Sequence, residues 1–187
     1  GRNADGSSAV LTFGEKAVFG LFTRGDEQFR VRTDRTGAWV VATDRTRLPP
    51  GDAHRDRSDV LLPPEHGALA AAGIRHLQKA APSANNVTAA AAVVDVLLGY
   101  STGLVQQLGS QSAAQTRMAN LVAAANAAYA NSGVNLRLRA VYALQVDYAD
   151  TTTNEDALQQ LTGYDAGAGR PITPNSAFNA LREARDE

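Results

Sequence analysis

Apolar and polar residues alternate in short runs over residues 9–43, and this pattern predicts a β-meander. Turn-forming residues separate the predicted strands, which cover 10–13, 17–22, 29–33 and 38–43. The stretch from Asp34 to Gly37 has the composition of a β-hairpin loop. Trp39 in the last strand is predicted to be an aromatic residue of the core. Short strands of this kind are stable only when another element covers one face of their sheet.

The second half of the chain has a different pattern, in which apolar strands alternate with amphipathic helices. Val93–Leu98 is nearly all apolar, as expected of a strand buried on both faces. A helix is predicted to begin at about Ser112, which forms a capping-box pair with Gln115, and to end near Asn131. Gly133 then provides a helix stop signal.

Residues 136–148 carry the longest alternation in the chain and predict a second strand beside the first. A short helix capped by Asn154 and ended by Gly163 follows, and a last helix begins at Asn175 or Ser176. Strand, helix, strand, helix is the order of an α/β unit. The predicted fold class is therefore α+β, with an N-terminal β-meander followed by an α/β unit.

Two stretches between these parts have the composition of connecting segments. Residues 44–65 contain Pro49-Pro50-Gly51 and a charged run, whereas residues 80–92 are small and polar. One helix is predicted between them, over 65–79. The predicted organisation is a β-rich segment, a linker with a short helix, and an α/β region, which cover 1–50, 51–92 and 93–187 respectively.

Composition and charge exclude several classes of protein. The 187 residues include 18 basic and 19 acidic side chains, a net charge of −1, so neither a nucleic-acid partner nor a polybasic membrane anchor is expected. No apolar run approaches the roughly 20 residues that span a bilayer, and no signal peptide is recognisable at Gly1. The absence of cysteine excludes thiolate zinc ligands and a cysteine nucleophile.

One pentapeptide has the form of a catalytic motif. Gly99-Tyr100-Ser101-Thr102-Gly103 fits G-x-S-x-G and follows an apolar strand, the context of a serine hydrolase's nucleophile elbow. In that fold a histidine that follows the serine takes its proton, whereas His54, His66 and His76 all precede Ser101. Ser101 is therefore interpreted as an ordinary turn residue.

Other motifs for phosphate or metal binding are absent from the sequence. Neither G-x-G-x-x-G nor G-x-x-x-x-G-K-[ST] follows the strand. A helical zinc site needs two histidines at i and i+4, but His66 and His76 are ten positions apart. No catalytic, cofactor-binding or metal-binding residue is therefore assigned in this chain.

Three blocks resemble the beginning of a metzincin-type zinc endopeptidase domain. VVDVLLGYSTG at 93–103 is similar to that family's first strand. The segment 113–148 is similar to its first long helix, a turn of the form N-x-A-[YF]-x-N-S-x-[IV] over Asn126–Val134, and its second strand. NEDALQQLTG and FNALREARDE are similar to the stretch before the third strand. Within the reprolysin-like branch, the group most similar to these blocks is the bacterial peptidyl-Asp metallopeptidases.

The resemblance implies a secreted or periplasmic zinc endopeptidase precursor that hydrolyses protein or peptide substrates, with cleavage on the amino side of aspartate. Such enzymes bind zinc through HExxHxxGxxH and use it to activate water, and this sequence does not contain that motif. The chain is therefore expected to be an N-terminal fragment: a pro-segment over residues 9–50 and the first half of the catalytic domain. We expect no zinc in this chain, no activity, and self-association of the fragment.

Two alternatives remain open at this point. The first is a non-catalytic module, either inhibitor-like or a surface for protein interaction. The second is a serine hydrolase that uses Ser101 in GYSTG.

Overall fold

The structure, a computed structural model, describes residues 6–43 and 91–186. The helix predicted for 65–79, the connecting segments as far as Ala90, and the three histidines lie outside the described residues. The described residues form two compact units: 6–43, 91–150 and 180–186 belong to the first, and 151–179 to the second. The predicted α+β class is confirmed, because a four-stranded antiparallel sheet precedes an α/β region.

The first sheet is the predicted β-meander. Its strands are β1 Ala9–Phe13, β2 Val18–Arg24, β3 Glu27–Asp34 and β4 Gly37–Ala42, and each pairs antiparallel with the next. Asp34 builds the last hairpin, because its Oδ1 accepts hydrogen bonds from the backbone N–H of Thr36 at 2.7 Å and from the Thr36 hydroxyl at 2.5 Å. The indole N–H of Trp39 donates to the same oxygen at 3.2 Å.

The prediction that Trp39 belongs to the core is wrong. Trp39 is 49% exposed. The register places it opposite Arg32, on the edge strand β4. The long helix of this unit packs against β1 and β2, so Trp39 lies on the half of the sheet that this helix leaves uncovered.

Asp34 makes the hairpin sensitive to acid. The hydroxyl of Thr36, followed by its backbone N–H, lowers the pKa of Asp34 from 3.8 to about 2. Because the folded-state pKa is the lower one, this carboxylate stabilises the fold fully above about pH 4, and the contribution is lost as the pH falls towards 2. We expect the urea midpoint of the parent chain to fall more over that window than the midpoint of Asp34→Asn. An NMR titration of the Asp34 carboxyl with a midpoint near 3.8 would contradict this.

The two faces of the meander differ. Phe19 on one face is 2% exposed. The opposite face is apolar, with the Phe22 and Phe29 rings stacked at 4.9 Å between centroids. Several large side chains of that face are exposed to solvent: Leu11, Phe13 and Val40.

The α/β region of the first unit consists of β5 Ala92–Ser101, α1 Thr102–Leu108, α2 Gln111–Asn131 and β6 Leu136–Val146. Strands β5 and β6 pair in parallel, as the strand–helix–strand order predicts. Tyr100, Ala114 and Met118 form a buried cluster between β5 and α2, with Leu98 and Ala143 packed against it.

Two predictions for this region need correction, and one helix was missed. Strand β5 is not buried on both faces, since Val93 is 55% exposed and the first four residues face solvent. Helix α1 was not predicted. Helix α2 is capped by Ser110 rather than Ser112, because the Ser110 hydroxyl accepts from the N–H of Ala113 at 3.1 Å. The stop at Gly133 is confirmed by its φ of +69°.

A β-bulge interrupts the alternation of β6. Val96 pairs with Ala140 and Leu97 pairs with Tyr142, so Val141 is an extra residue in β6. Because side chains alternate along a strand, one extra residue moves the following apolar positions to the other face. Ala143 consequently packs with the Tyr100 cluster on the α2 side.

The second unit is small. It contains α3 Asn154–Thr162, β7 Tyr164–Asp165, β8 Arg170–Pro171 and a 3₁₀ helix Ser176–Phe178. The next helix in the chain is α4 Asn179–Asp186, of which 180–186 belong to the first unit. The cap of α3 is Thr153 and not the predicted Asn154, since Thr153 and Asp156 form a reciprocal capping box. Gly163 ends α3 with φ +73°, and Asn175 caps the 3₁₀ helix, both as predicted.

Candidate functional site

Ser101 stands at the end of β5 as the N-cap of α1. Its backbone is extended, with φ −80° and ψ 161°, and its hydroxyl oxygen accepts from the N–H of Leu104 at 3.1 Å. A nucleophile elbow instead holds its serine on a sharp, strained turn. The hydroxyl of Ser101 therefore serves helix capping, and the geometry gives no support to a serine hydrolase.

Close packing explains why glycine occupies both of its positions in GYSTG. A Cβ at Gly99 would lie 2.6 Å from Cδ1 of Leu181 in α4. A Cβ at Gly103 would overlap the carboxylate of Asp150. Close packing thus accounts for the glycines of this pentapeptide without a catalytic role.

The turn from α2 into β6 is held by Asn126. Its Nδ2 donates to the carbonyl of Leu138 at 2.9 Å, and its Oδ1 accepts from the N–H of the same residue at 2.7 Å. The N–H of Val134 closes the helix end by donating to the carbonyl of Tyr129 at 2.9 Å. The amide of Asn126 therefore takes the place of a neighbouring strand on the outer edge of β6.

An open groove of about 1190 Å³ lies between the second half of α2 and the first half of β6. Its walls are mostly small and apolar, including Ala123, Ala127 and Val134. Among the described residues that line it, the charged side chains are Arg137 and Arg139. These side chains offer a binding surface. They offer no general acid or base, because an arginine side chain does not give up its proton in proteins.

One ion pair crosses the parallel strands. Nε and Nη2 of Arg139 donate to the two carboxylate oxygens of Asp95, each at 2.6 Å. This bidentate contact lowers the pKa of Asp95 and raises that of Arg139. The two residues are direct partners in the strand register, so the pair reinforces the pairing of β5 with β6.

Comparison with known families adds to this geometry. A family model described as metallo-peptidase family M12B, reprolysin-like, matches residues 90–185. That range begins just before β5, includes β6 and covers just over half of the chain. The chain belongs to the reprolysin-like M12B family. Searches of curated proteins and of solved structures found no match.

Reprolysin-like enzymes are zinc-dependent metallopeptidases, and a zinc site needs several His, Cys, Asp or Glu side chains close together. Among residues 6–43 and 91–186, no group of three or more His, Cys, Asp or Glu side chains could hold a metal ion. The residues present in these ranges therefore do not fit a zinc ion. In the same ranges, none of the helices combines the length and apolarity needed to cross a membrane.

The sequence pattern assigned no structural role to two asparagines on helix α2, although Asn126 lies in the turn that resembles the family. Asn126 clamps β6, and Asn120, which is 4% exposed, joins α2 to the meander. A polar amide in the middle of an Ala-rich helix is a signal for such contacts, because an unsatisfied buried amide is costly. The signal identifies the residue but does not identify its partner.

Proposed function

We propose that the chain is the N-terminal part of a secreted zinc endopeptidase precursor. In this proposal residues 1–50 form a β-rich pro-segment, 51–92 a linker, and 93–187 the first half of the catalytic domain. The observation that carries the proposal is the M12B family match, which falls on a parallel strand pair packed against a long helix. The zinc ion is held by residues other than the described ones. Proteins or peptides are the substrates, and cleavage occurs on the amino side of aspartate.

The gene tests the assignment directly. We expect the codons after Glu187 to encode HExxHxxGxxH in the same reading frame. A stop codon at that point would support a non-catalytic module, and a downstream aspartate and histidine without the zinc motif would support a serine hydrolase.

The 187-residue chain itself should hold no stoichiometric zinc and should show no peptidase activity. The sequence has no HExxHxxGxxH and no cysteine, and its three histidines lack the i, i+4 spacing of a helical zinc site. Elemental analysis of the purified chain after dialysis measures the first expectation, and a peptide-library digest measures the second. One tightly held zinc per chain would contradict the proposal.

Processing of the full-length protein tests the substrate preference. Residues 52–59 contain Asp52, Asp56 and Asp59, whereas residues 80–92 contain no aspartate. An enzyme that prefers aspartate should process itself within 52–59, and another protease is more consistent with a cut in 80–92. Mass spectrometry of the mature N-terminus distinguishes these outcomes. A mature N-terminus upstream of residue 44 would overturn the assignment of the meander as a pro-segment.

One observation favours a second candidate, a non-catalytic interaction module. The meander presents an apolar face on which Phe13 is 75% exposed and Val40 is 62% exposed. Exposed apolar faces of this kind are found at protein interfaces. The match to a peptidase family covers residues 90–185 and not the meander, so it supports the peptidase for the α/β region and leaves the apolar face of the meander as the basis of the second candidate.

A further inference from the structure

We infer that the β-meander stays bound to helix α2 when the chain is cut between Thr43 and Ala91. Residues 6–43 and 91–150 lie in one compact unit, and α2 packs against β1 and β2. Proteolytic processing between them would then give a nicked, two-piece protein instead of a free α/β region. The inference concerns binding between two parts of this chain and does not rest on the proposed peptidase activity.

A buried amide on α2 carries the first step of the argument. Nδ2 of Asn120 donates to the backbone carbonyl of Phe19 at 3.2 Å and to the hydroxyl of Thr12 at 3.3 Å. Its Oδ1 accepts from Nη1 of Arg117 at 3.2 Å. If the meander left, a group that is 4% exposed would lose both acceptors at once.

Apolar packing surrounds this hydrogen-bond network. Phe19 is 2% exposed, and the guanidinium carbon of Arg117 lies 5.6 Å from the centre of its ring. That distance is within the range of a cation–π contact. Burial, followed by the nearby charge of Arg30 on β3, lowers the pKa of Arg117, which agrees with a guanidinium covered by the meander.

The backbone of the meander also approaches α2 closely. A Cβ at Gly14, in the turn between β1 and β2, would overlap the hydroxyl of Thr116 and lie 3.0 Å from its Cβ. At the other end, a Cβ at Gly109, just before α2, would lie 3.3 Å from Cγ of Arg35 in the β3–β4 hairpin. The β1–β2 turn therefore fits against α2 without space for an extra methyl group at Gly14, and the β3–β4 hairpin makes a close contact at Gly109.

Both parts depend on this contact. A four-stranded meander needs one covered face, and the face that carries Phe19 is covered by α2. Helix α2 buries Ala113, Ala114, Thr116, Met118 and Asn120, all in its first half. Some of these residues face β5 and others face the meander, so the first half of α2 is packed from two sides.

The test cuts the intact, folded chain. A recognition sequence for a site-specific protease is inserted between Pro82 and Ser83, the chain is cleaved, and the products are run on a size-exclusion column at a series of dilutions. We expect the two pieces to elute together at micromolar concentration. Separation of the parent pieces immediately after cleavage would overturn the inference.

Variants of the same cleavable chain locate the contact. Asn120→Ala should weaken the complex of the two pieces by about tenfold or more, since two hydrogen bonds from a buried group are lost. Gln115→Ala, an exposed amide on the same helix, is the matched control and should leave the dissociation constant within about twofold. Equal effects of the two changes would contradict the inference.

A milder variant keeps the test decisive if Asn120→Ala does not fold as an intact chain. Thr12→Ala removes one acceptor at the surface of β1 and leaves α2 unchanged. We expect it to weaken the complex by about threefold to tenfold. A dissociation constant equal to that of the parent pieces would show that the Asn120 network does not hold the meander.

Discussion

Replacing Phe19 with alanine should lower the free energy of unfolding of the chain by about 3–5 kcal/mol, the usual cost of removing a buried phenylalanine side chain. Phe19 is the largest fully buried side chain among the described residues. It lies where β2 meets α2, with Arg117 over its ring. Alanine would leave a cavity at the contact that joins the meander to the helix, so a large part of a typical domain's stability would be lost.

A matched control is present in the same sheet. Phe13 on β1 is 75% exposed, and Phe13→Ala should change the free energy of unfolding by about 0.5 kcal/mol or less. Urea unfolding followed by circular dichroism measures both variants. Equal destabilisation by the two changes would show that the Phe19 face is not the buried one. If Phe19→Ala does not fold, Phe19→Leu gives the smaller loss expected of a partly filled site.

The strands of the meander could be read from the sequence, but the partner of the sheet could not. Alternation in residues 9–43 predicts where the strands lie. The same pattern cannot say which half of the sheet a helix from elsewhere in the chain will cover. Trp39 is exposed for this reason: its strand lies beyond the part that α2 covers.

The predicted N-cap lies two residues from the observed one in α2 and one residue from it in α3. Ser110 and Ser112 are both capping residues by type, as are Thr153 and Asn154, and the structure selects the first of each pair. Local side-chain preference is similar for such neighbours. Which one caps the helix depends on how the preceding chain enters, and this is set by packing outside the helix.

The bulge in β6 shows a second limit of pattern reading. The alternation over residues 136–148 predicts one apolar face, whereas the extra residue Val141 divides the strand between two faces. The bulge leaves the run of apolar residues in the sequence unbroken, because the extra residue Val141 is itself apolar. Only the register against β5 reveals it, and register is a property of two strands.

The motif at Asn126 could be recognised from the sequence, although its physical role could not. The spacing of Asn126, Tyr129 and Val134 resembles a family turn, but spacing alone does not show that the Asn126 amide bonds both polar groups of Leu138. That contact joins residues 12 positions apart and depends on the angle at which α2 meets β6. Family membership, in turn, implies zinc without placing a ligand among the described residues.

Replacing Asn126 with alanine should destabilise the chain and promote its self-association. The change leaves the N–H and the carbonyl of Leu138 without the partner that holds them at 2.7 and 2.9 Å. A hydrogen bond contributes about 0.5–1.5 kcal/mol net, so the loss of two should lower the free energy of unfolding by about 1–3 kcal/mol. The exposed edge of β6 would then be free to pair with a second copy.

Asn131→Ala is the matched control for this experiment. Asn131 lies on the same helix, is exposed at its last turn, and undergoes the same chemical change. Urea unfolding measures stability, and size-exclusion chromatography with light scattering over a concentration series measures association.

The parent chain is itself expected to associate, because the edge of β5 away from β6 has no strand partner among the described residues. Asn126→Ala should form larger species at lower concentration than the parent chain or Asn131→Ala, since it opens a second edge. Identical elution of the parent chain and both variants would show that Asn126 does not protect the edge of β6. Its hydrogen bonds to Leu138 would then stabilise only the turn between α2 and β6.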